Sequence, residues 1–252
     1  MVVVVRRYNV AYVPVPKAAC TSLKRAMYRL EHGKDFAGEM RNGRKVGIQR
    51  AYPTRPFTPA ALEGLKDPFT FAVLRDPAER VLSTWSNRVM QRGRLEVENQ
   101  RKLDRLFAGR WRRLGQRFGL GGQAPSLLNP RPDLNDFVLN IEAYSRSSAA
   151  VRHHTRSVAD FLGPDLSVYN RLYRVQDMPA LEADIRDRTG LDTFAVPRTN
   201  VSPPEYRAGI ADLSDAAFDK LMTWLEPEYE LLSQWFTPPR RDQLNTQQTG
   251  TI

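Results

Sequence analysis

The stretch VAYVPVPKAACTSLKRAMYRLEHG, residues 10–33, passes from one structural period to another within a few residues. Val10 to Val15 is a short apolar run that predicts a strand, and Pro14, unable to donate to a sheet ladder, marks that strand's end. From about Ser22 to His32 the period is helical: Leu23, Ala26, Met27 and Leu30 fall at i, i+3, i+4 and i+7, with Lys24, Arg25 and Arg29 on the other side. Gly33 suits a helix stop. Between strand and helix lies PKAACTS (16–22), which sets a lysine, three small residues and two hydroxyls directly ahead of the helix.

A strand that feeds a tight turn and then a helix brings unpaired backbone N–H groups and the positive end of the helix dipole to one point, which is an anion site. Ala18 and Ala19 keep the turn thin, Lys17 supplies a charge, and Thr21 and Ser22 supply hydroxyl donors. Lys17, Ala18, Ala19, Cys20, Thr21 and Ser22 are therefore the candidate contacts to a bound anion. The usual triphosphate loop, G-x-x-x-x-G-K-[ST], has its lysine after the glycines and a hydroxyl that holds magnesium. Here the lysine comes first and no glycine is present, so a metal-held triphosphate is the poorer fit. A plain strand-turn-helix without ligand is the competing reading.

A second junction repeats the arrangement. FTFAVLR (69–75) is short and apolar enough for a strand buried on both faces. Arg75 stands at its carboxyl end, where open α/β sheets bind ligands. Asp76-Pro77-Ala78-Glu79 then starts a helix, with Asp76 as N-cap and Pro77 in the first turn. That helix is expected to reach about Met90, burying Val81, Leu82, Trp85 and Val89. Arg80, Ser83 and Asn87, at i, i+3 and i+7, are expected on its polar face. Arg75 by its planar fork and Ser83 by one hydroxyl suit a second phosphate; a structural Arg75 at a strand edge is the alternative. Two such junctions suggest one nucleotide with two separated phosphate groups.

Elsewhere, residues 33–57 read as irregular, and Thr58-Pro59 as the cap and first position of a short helix through Leu65. Residues 91–117 are dense in arginine, and GLGGQAPSLLNPRP (119–132) reads as a loop. A helix is expected around Leu134 to Tyr144 and a third strand in NRLYRVQDM (170–178). Pro179, Leu181, Ile185 and Gly190 outline the next helix. Phe218, Leu221, Met222 and Leu225 mark a last one, which Pro227 is expected to kink or restart. Strand, loop and helix recur without an internal repeat. The expected fold is α/β: a P-loop-like three-layer domain over 1–236, its central, mostly parallel sheet flanked by helices, with a disordered tail over 237–252.

Of 252 residues, 38 are Lys or Arg and 28 Asp or Glu, a formal charge of +10 that favours an anionic partner. One cysteine, Cys20, excludes an intramolecular disulfide and fits a reducing compartment. With no base beside it, it reads as a small packing residue. MVVVV is too short for a signal-peptide core and Arg6 and Arg7 interrupt it; no other apolar run approaches the roughly 18 residues of a membrane span. A soluble, cytoplasmic protein is expected. His153 and His154, adjacent and without Cys or acidic partners at ligand spacing, make a poor metal site, so no metal is expected. The arginines between Arg92 and Arg117 suit an acidic acceptor or a solvated helix face. Trp111 and Phe118 among them build no stacking platform for single strands, and nucleic acid is not the expected partner.

PKAACTSLKR (16–25) and LRDPAERVLSTW (74–85) together resemble the two nucleotide-binding motifs of the sulfotransferases, in the branch that holds the Golgi carbohydrate sulfotransferases and their bacterial relatives. The resemblance implies 3′-phosphoadenosine 5′-phosphosulfate as donor, with Lys17, Thr21 and Ser22 at the 5′-phosphosulfate and Arg75 and Ser83 at the 3′-phosphate. HTRSVADFLG (154–163) resembles that branch's H-x-R-P-Q-x-x-F-L segment, keeping His154, Arg156, Phe161 and Leu162 and departing at Ser157 and Val158. LSDAAFDKLMTWLEPEYELL (213–232) resembles its closing helices. What this implies is in-line sulfuryl transfer to an acceptor hydroxyl or amine, of a carbohydrate or other glycan-like molecule, without a metal. Lys17 would stabilise the leaving oxygen and His154 would be the general base, with His32 and Glu31 as alternatives and a structural His154 as the competing reading. Two other functions stay open: a nucleotide or small-molecule kinase, and a non-catalytic binder of polyanions or nucleic acid.

Overall fold

The structure, a computed structural model, describes residues 1–99, 128–199 and 203–242. Its strands are β1 (Val3–Val5), β2 (Val10–Val13), β3 (Glu39–Arg41), β4 (Arg44–Val46), β5 (Phe69–Leu74) and β6 (Arg171–Arg174). Its α-helices are α1 (Cys20–His32), α2 (Ile48–Ala51), α3 (Pro77–Thr84), α4 (94–99), α5 (Leu134–Leu139), α6 (Ile141–Ser147), α7 (Ala149–Thr155), α8 (Ala159–Leu162), α9 (Met178–Thr189) and α10 (Asp215–Leu231). One sheet has the order β1-β2-β5-β6, with β1 antiparallel to β2 and the other pairs parallel. This is the mostly parallel α/β arrangement that the recurring strand-loop-helix pattern predicts.

The order follows from burial. β5 has all six residues buried, as a strand covered on both faces requires. Phe71 stacks on Tyr12 of β2 at 5.2 Å between ring centroids and meets Tyr173 of β6 edge-on at 5.9 Å. Such ring pairs add about 0.5–1.5 kcal/mol each beyond their buried area. The opening valines supply β1 as an edge strand with Val3 and Val5 buried.

Two compact units emerge. One comprises Met1–Arg80, Arg156–Val201 and Leu225–Pro238 and holds the sheet; the other comprises Val81–Thr155, Ser202–Trp224 and Pro239–Ile252. In the first, β2 ends at Val13, as Pro14 dictates, and α1 begins at Cys20, two residues before its expected start. The segment read as irregular, 33–57, contains the β3-β4 hairpin and α2. Pro59–Leu62 forms only a 3₁₀ turn, and the Thr58 side chain makes no cap bond. In α10 the helix runs through Pro227.

In the second unit, helical winding after α3 continues as a π-turn, Trp85–Met90, whose Gln91 N–H bonds to Ser86 O at 3.0 Å. The expected helix at 134–144 is two helices, parted at Asn140. The tail expected from 237 is held at its start: Arg241 Nε pairs with Asp215 Oδ1 at 2.8 Å and its Nη2 donates to Leu213 O at 2.7 Å. Residues 243–252, and most of the arginine-dense segment and the loop at 119–132, lie outside the described residues.

Candidate functional site

The turn between β2 and α1 is wound tightly by two left-handed residues that are not glycine, Lys17 (φ 67°) and Ala19 (φ 54°). That conformation costs an L-residue about 1–2 kcal/mol, and such strain gathers at ligand sites. Ala18 is buried, with its N–H directed to Val15 O at 3.4 Å, and Leu23 N–H closes the first helical turn on Ala19 O at 3.1 Å. Ala19 occupies the N-cap position of α1 without a side-chain cap, and no acidic residue stands in the first turn. The first amides of a helix have no partner within it. Uncapped and carrying Lys17, this end of α1 presents donors and positive charge.

The two hydroxyls differ. Ser22 is buried, shares a 2.8 Å hydrogen bond with the Thr199 hydroxyl, and accepts from Thr199 N–H at 3.3 Å. Thr21 is half-buried and its Oγ1 accepts from Gln49 Nε2 at 2.6 Å. Gln49 Oε1 in turn accepts from Lys24 Nζ at 2.6 Å, and Lys24 also donates to Thr54 Oγ1 at 2.7 Å. Lys24 is wholly buried, and burial pushes its amine down to about 8. The Cys20 thiol accepts a long bond, 3.5 Å, from the same Gln49 amide.

Arg75 leaves the end of β5 and reaches back to this turn, its Nη1 donating to Lys17 O at 3.4 Å and its Nε pairing with Glu79 Oε2 at 3.2 Å. Asp76 caps α3 as predicted, accepting from Glu79 N–H at 3.0 Å, and Tyr229 Oη donates to both its oxygens at 3.1 Å. Burial raises the Asp76 carboxyl above its usual range. Lys17, Thr21, Ser22 and Arg75 are thus gathered around one turn. Ser83 lies half-buried in the last turn of α3, about 10 Å along the helix from Asp76 at 1.5 Å per residue.

Arg80 is not on a solvated polar face. It is fully buried, its Nε and Nη2 on Glu228 at 2.9–3.2 Å and its Nη2 also on Arg156 O at 2.7 Å. Burial raises the Glu228 carboxyl in spite of Arg80. Asn87 is buried too, bonded to Gln91 Oε1 at 2.6 Å, because the π-turn breaks the 3.6-residue period on which its exposure was predicted.

In the second unit, His154 lies one residue before the end of α7 with both ring nitrogens engaged. Nε2 accepts from Arg88 Nε at 3.0 Å. An accepting Nε2 leaves the proton on Nδ1, which lies 2.7 Å from Ala150 O. Glu31 and His32 sit at the far end of α1, ten and eleven residues beyond Thr21, about 15 Å along the helix axis.

Sequence reasoning missed Gln49, Lys24 and Thr199 as parts of this site. Lys24 reads as one more charge on the outer helix face, and Gln49 stands in a segment without periodicity. Thr199 lies 177 residues from Ser22; no local pattern signals it. Among the described residues, no group of His, Cys, Asp or Glu is arranged to hold a metal, and no helix is long and apolar enough to cross a membrane.

The model of the sulfotransferase family matches residues 1–224. No curated protein matches, and no solved structure matches.

Proposed function

This chain belongs to the sulfotransferase family, and from that premise we propose that it transfers the sulfuryl group of 3′-phosphoadenosine 5′-phosphosulfate to a hydroxyl of a carbohydrate or other glycan-like acceptor. The observation that carries the reading is the meeting of two cationic residues from successive parallel strand ends, Lys17 and Arg75, at the uncapped start of α1. Helix amides, a lysine, an arginine fork and a hydroxyl form a donor set that suits phosphate and sulfate oxygens. In this proposal Lys17, Thr21, Ser22 and the turn residues Ala18, Ala19 and Cys20 hold the 5′-phosphosulfate, and Arg75 and Ser83 the 3′-phosphate. The carbohydrate acceptor rests on the likeness of PKAACTSLKR and LRDPAERVLSTW to the carbohydrate branch.

The reaction is an in-line displacement at sulfur. The bond from sulfur to the bridging phosphate oxygen breaks with its electron pair going to that oxygen, while the acceptor oxygen forms the new bond to sulfur. Charge grows on the leaving phosphate, where the Lys17 ammonium and the α1 amides stabilise it by fixed, preorganised electrostatics. His154 takes the acceptor proton in this scheme. Its Nε2 carries the lone pair, so the acceptor hydroxyl must displace Arg88 Nε to reach it.

A binding panel tests the donor: 3′-phosphoadenosine 5′-phosphate, adenosine 5′-phosphate, and ATP with magnesium, each read by thermal shift. A ligand at 100 times its Kd adds about 2.7 kcal/mol, worth roughly 5–10 °C for a chain of this size. Stabilisation by the 3′,5′-bisphosphate above the others supports the reading. Stabilisation by ATP with magnesium alone makes the protein a kinase, and no shift from any removes the nucleotide.

A further inference from the structure

The contacts around Thr21 have a direction. Lys24 carries only donors, so the Gln49 side-chain atom 2.6 Å from its Nζ is the amide oxygen. The amide nitrogen then faces Thr21 Oγ1, also at 2.6 Å, and that nitrogen can only donate. Thr21 must accept through its oxygen, which leaves its single hydroxyl proton for a bond of its own. The back-bond that a threonine inside a helix makes to the carbonyl four residues earlier is not set up by helix geometry here, because Thr21 is the second residue of α1 and Lys17 precedes the helix. Lys17 O accepts instead from Arg75 Nη1, at 3.4 Å.

We infer that Lys24 and Gln49 are positioning residues for the anion site, a fixed relay that turns the Thr21 hydroxyl proton outward to a phosphate or sulfate oxygen at the start of α1. The inference rests on the proposed reading of that helix end as the donor's phosphosulfate site. The relay fixes its own polarity. A buried ammonium cannot face an amide nitrogen, so the Gln49 amide cannot flip, and Thr54 holds Lys24 from a second side. Deprotonation of Lys24, which burial brings to about 8, leaves an amine with two N–H donors and one accepting lone pair, so the fixed polarity belongs to the ammonium form. The Gln49 amide, with its second contact on Cys20 Sγ, ties α2 to the first two residues of α1.

The test is a double-mutant cycle read as the Kd for 3′-phosphoadenosine 5′-phosphate, with pyrophosphate as a second probe. Thr21→Val and Gln49→Leu each weaken binding about tenfold, the scale of a hydrogen bond to a charged group. The double variant is also weakened about tenfold, because Gln49 acts through Thr21. Thr21→Ser, which keeps the hydroxyl, restores binding to within about threefold. A double variant weakened about a hundredfold overturns the relay, since the two residues then act independently. Wild-type affinity in Gln49→Leu overturns it as well.

Should Gln49→Leu fail to fold, Gln49→Glu decides. Its carboxylate still pairs with Lys24 and holds the melting temperature, but it draws the Thr21 proton inward, so affinity falls at least about tenfold. Unchanged affinity in that variant overturns the relay. If the wild type binds neither probe, the donor reading fails and the relay falls with it; if the wild type binds and the cycle multiplies, the relay alone fails.

Discussion

Arg80 and Glu228 form a buried ion pair whose two members respond unequally to losing their partner. Arg80 is fully buried and Glu228 5% exposed, with Nε and Nη2 of the arginine both on the carboxylate. Breaking a buried pair costs about 3–5 kcal/mol, because it strands a charge out of water. Glu228→Leu strands a guanidinium that cannot lose its proton, so the upper end applies, near 5 kcal/mol and roughly 10–20 °C in melting temperature for a chain of this size. Arg80→Met strands a carboxyl that burial already raises above its usual range. This one escapes by taking up a proton, and its variant is the milder of the two. The folded state then binds a proton that the unfolded chain, with an ordinary glutamate, releases. Stability of Arg80→Met therefore falls as pH rises above the ordinary glutamate value of about 4.3, by at most about 1.4 kcal/mol per unit. Arg80→Met/Glu228→Leu strands neither charge and recovers most of the loss, less about 1 kcal/mol for the unpaired Arg156 carbonyl. Urea unfolding of the wild type and three variants at pH 5 and pH 8 measures all of this. Equal cost of Arg80→Met at both pH values, or a double variant as unstable as the two singles combined, would refute the argument.

Lys24 has a folded value near 8 against about 10.5 unfolded. Between those pH values the unfolded chain holds a proton that the folded one has lost, so wild-type stability rises with pH relative to Lys24→Met, by up to about 3 kcal/mol; a flat difference in melting temperature from pH 7 to 10.5 rejects this. Lys17→Ala abolishes sulfuryl transfer while leaving the fold intact, as circular dichroism and a labelled-donor assay will show, and near-normal turnover removes Lys17 from the mechanism. Arg75→Met weakens 3′-phosphoadenosine 5′-phosphate about tenfold or more beyond any loss shared with adenosine 5′-phosphate, the difference of one charged hydrogen bond; equal losses by calorimetry place Arg75 away from the 3′-phosphate. His154→Ala lowers kcat on the order of 10²-fold, the scale of general-base catalysis, and an unchanged kcat makes the histidine structural.

What was legible in the sequence was local and periodic. Pro14 stops β2, Asp76 caps α3 and Gly190 ends α9 in the left-handed conformation, because each acts on its own backbone within a few residues. Burial of Phe69–Leu74 followed from an unbroken apolar run. The pattern failed where a distant partner or a change of period overrides it. Arg80 looks like a surface arginine until Glu228, 148 residues away, neutralises it in the interior. Lys24 looks solvated until Gln49 and Thr54 cover it. Asn87 falls on the wrong face because the helix widens at Trp85–Met90. The β3-β4 hairpin was invisible because its strands are almost wholly exposed, and an exposed two-stranded ribbon needs no alternation of apolar residues.

In the sequence the absent glycine, with the lysine ahead of the turn, speaks against a metal-held triphosphate, and the backbone is wound there without it. Glycine would enter the left-handed region freely at positions 17 and 19, but it would enter other regions as freely, and the unfolded chain would lose more entropy on folding. Lys17 and Ala19 accept the strain instead, and their surroundings hold them there. Pro14 and Pro16 narrow the approach, buried Ala18 anchors the centre, Arg75 grips Lys17 O, and Thr199 and Gln49 hold the two hydroxyl residues that follow. An anion arriving at such a turn finds its donors already placed. The sequence replaces glycine's freedom with fixed side-chain contacts, so Lys17 can occupy the strained position and carry a charge there, which glycine cannot.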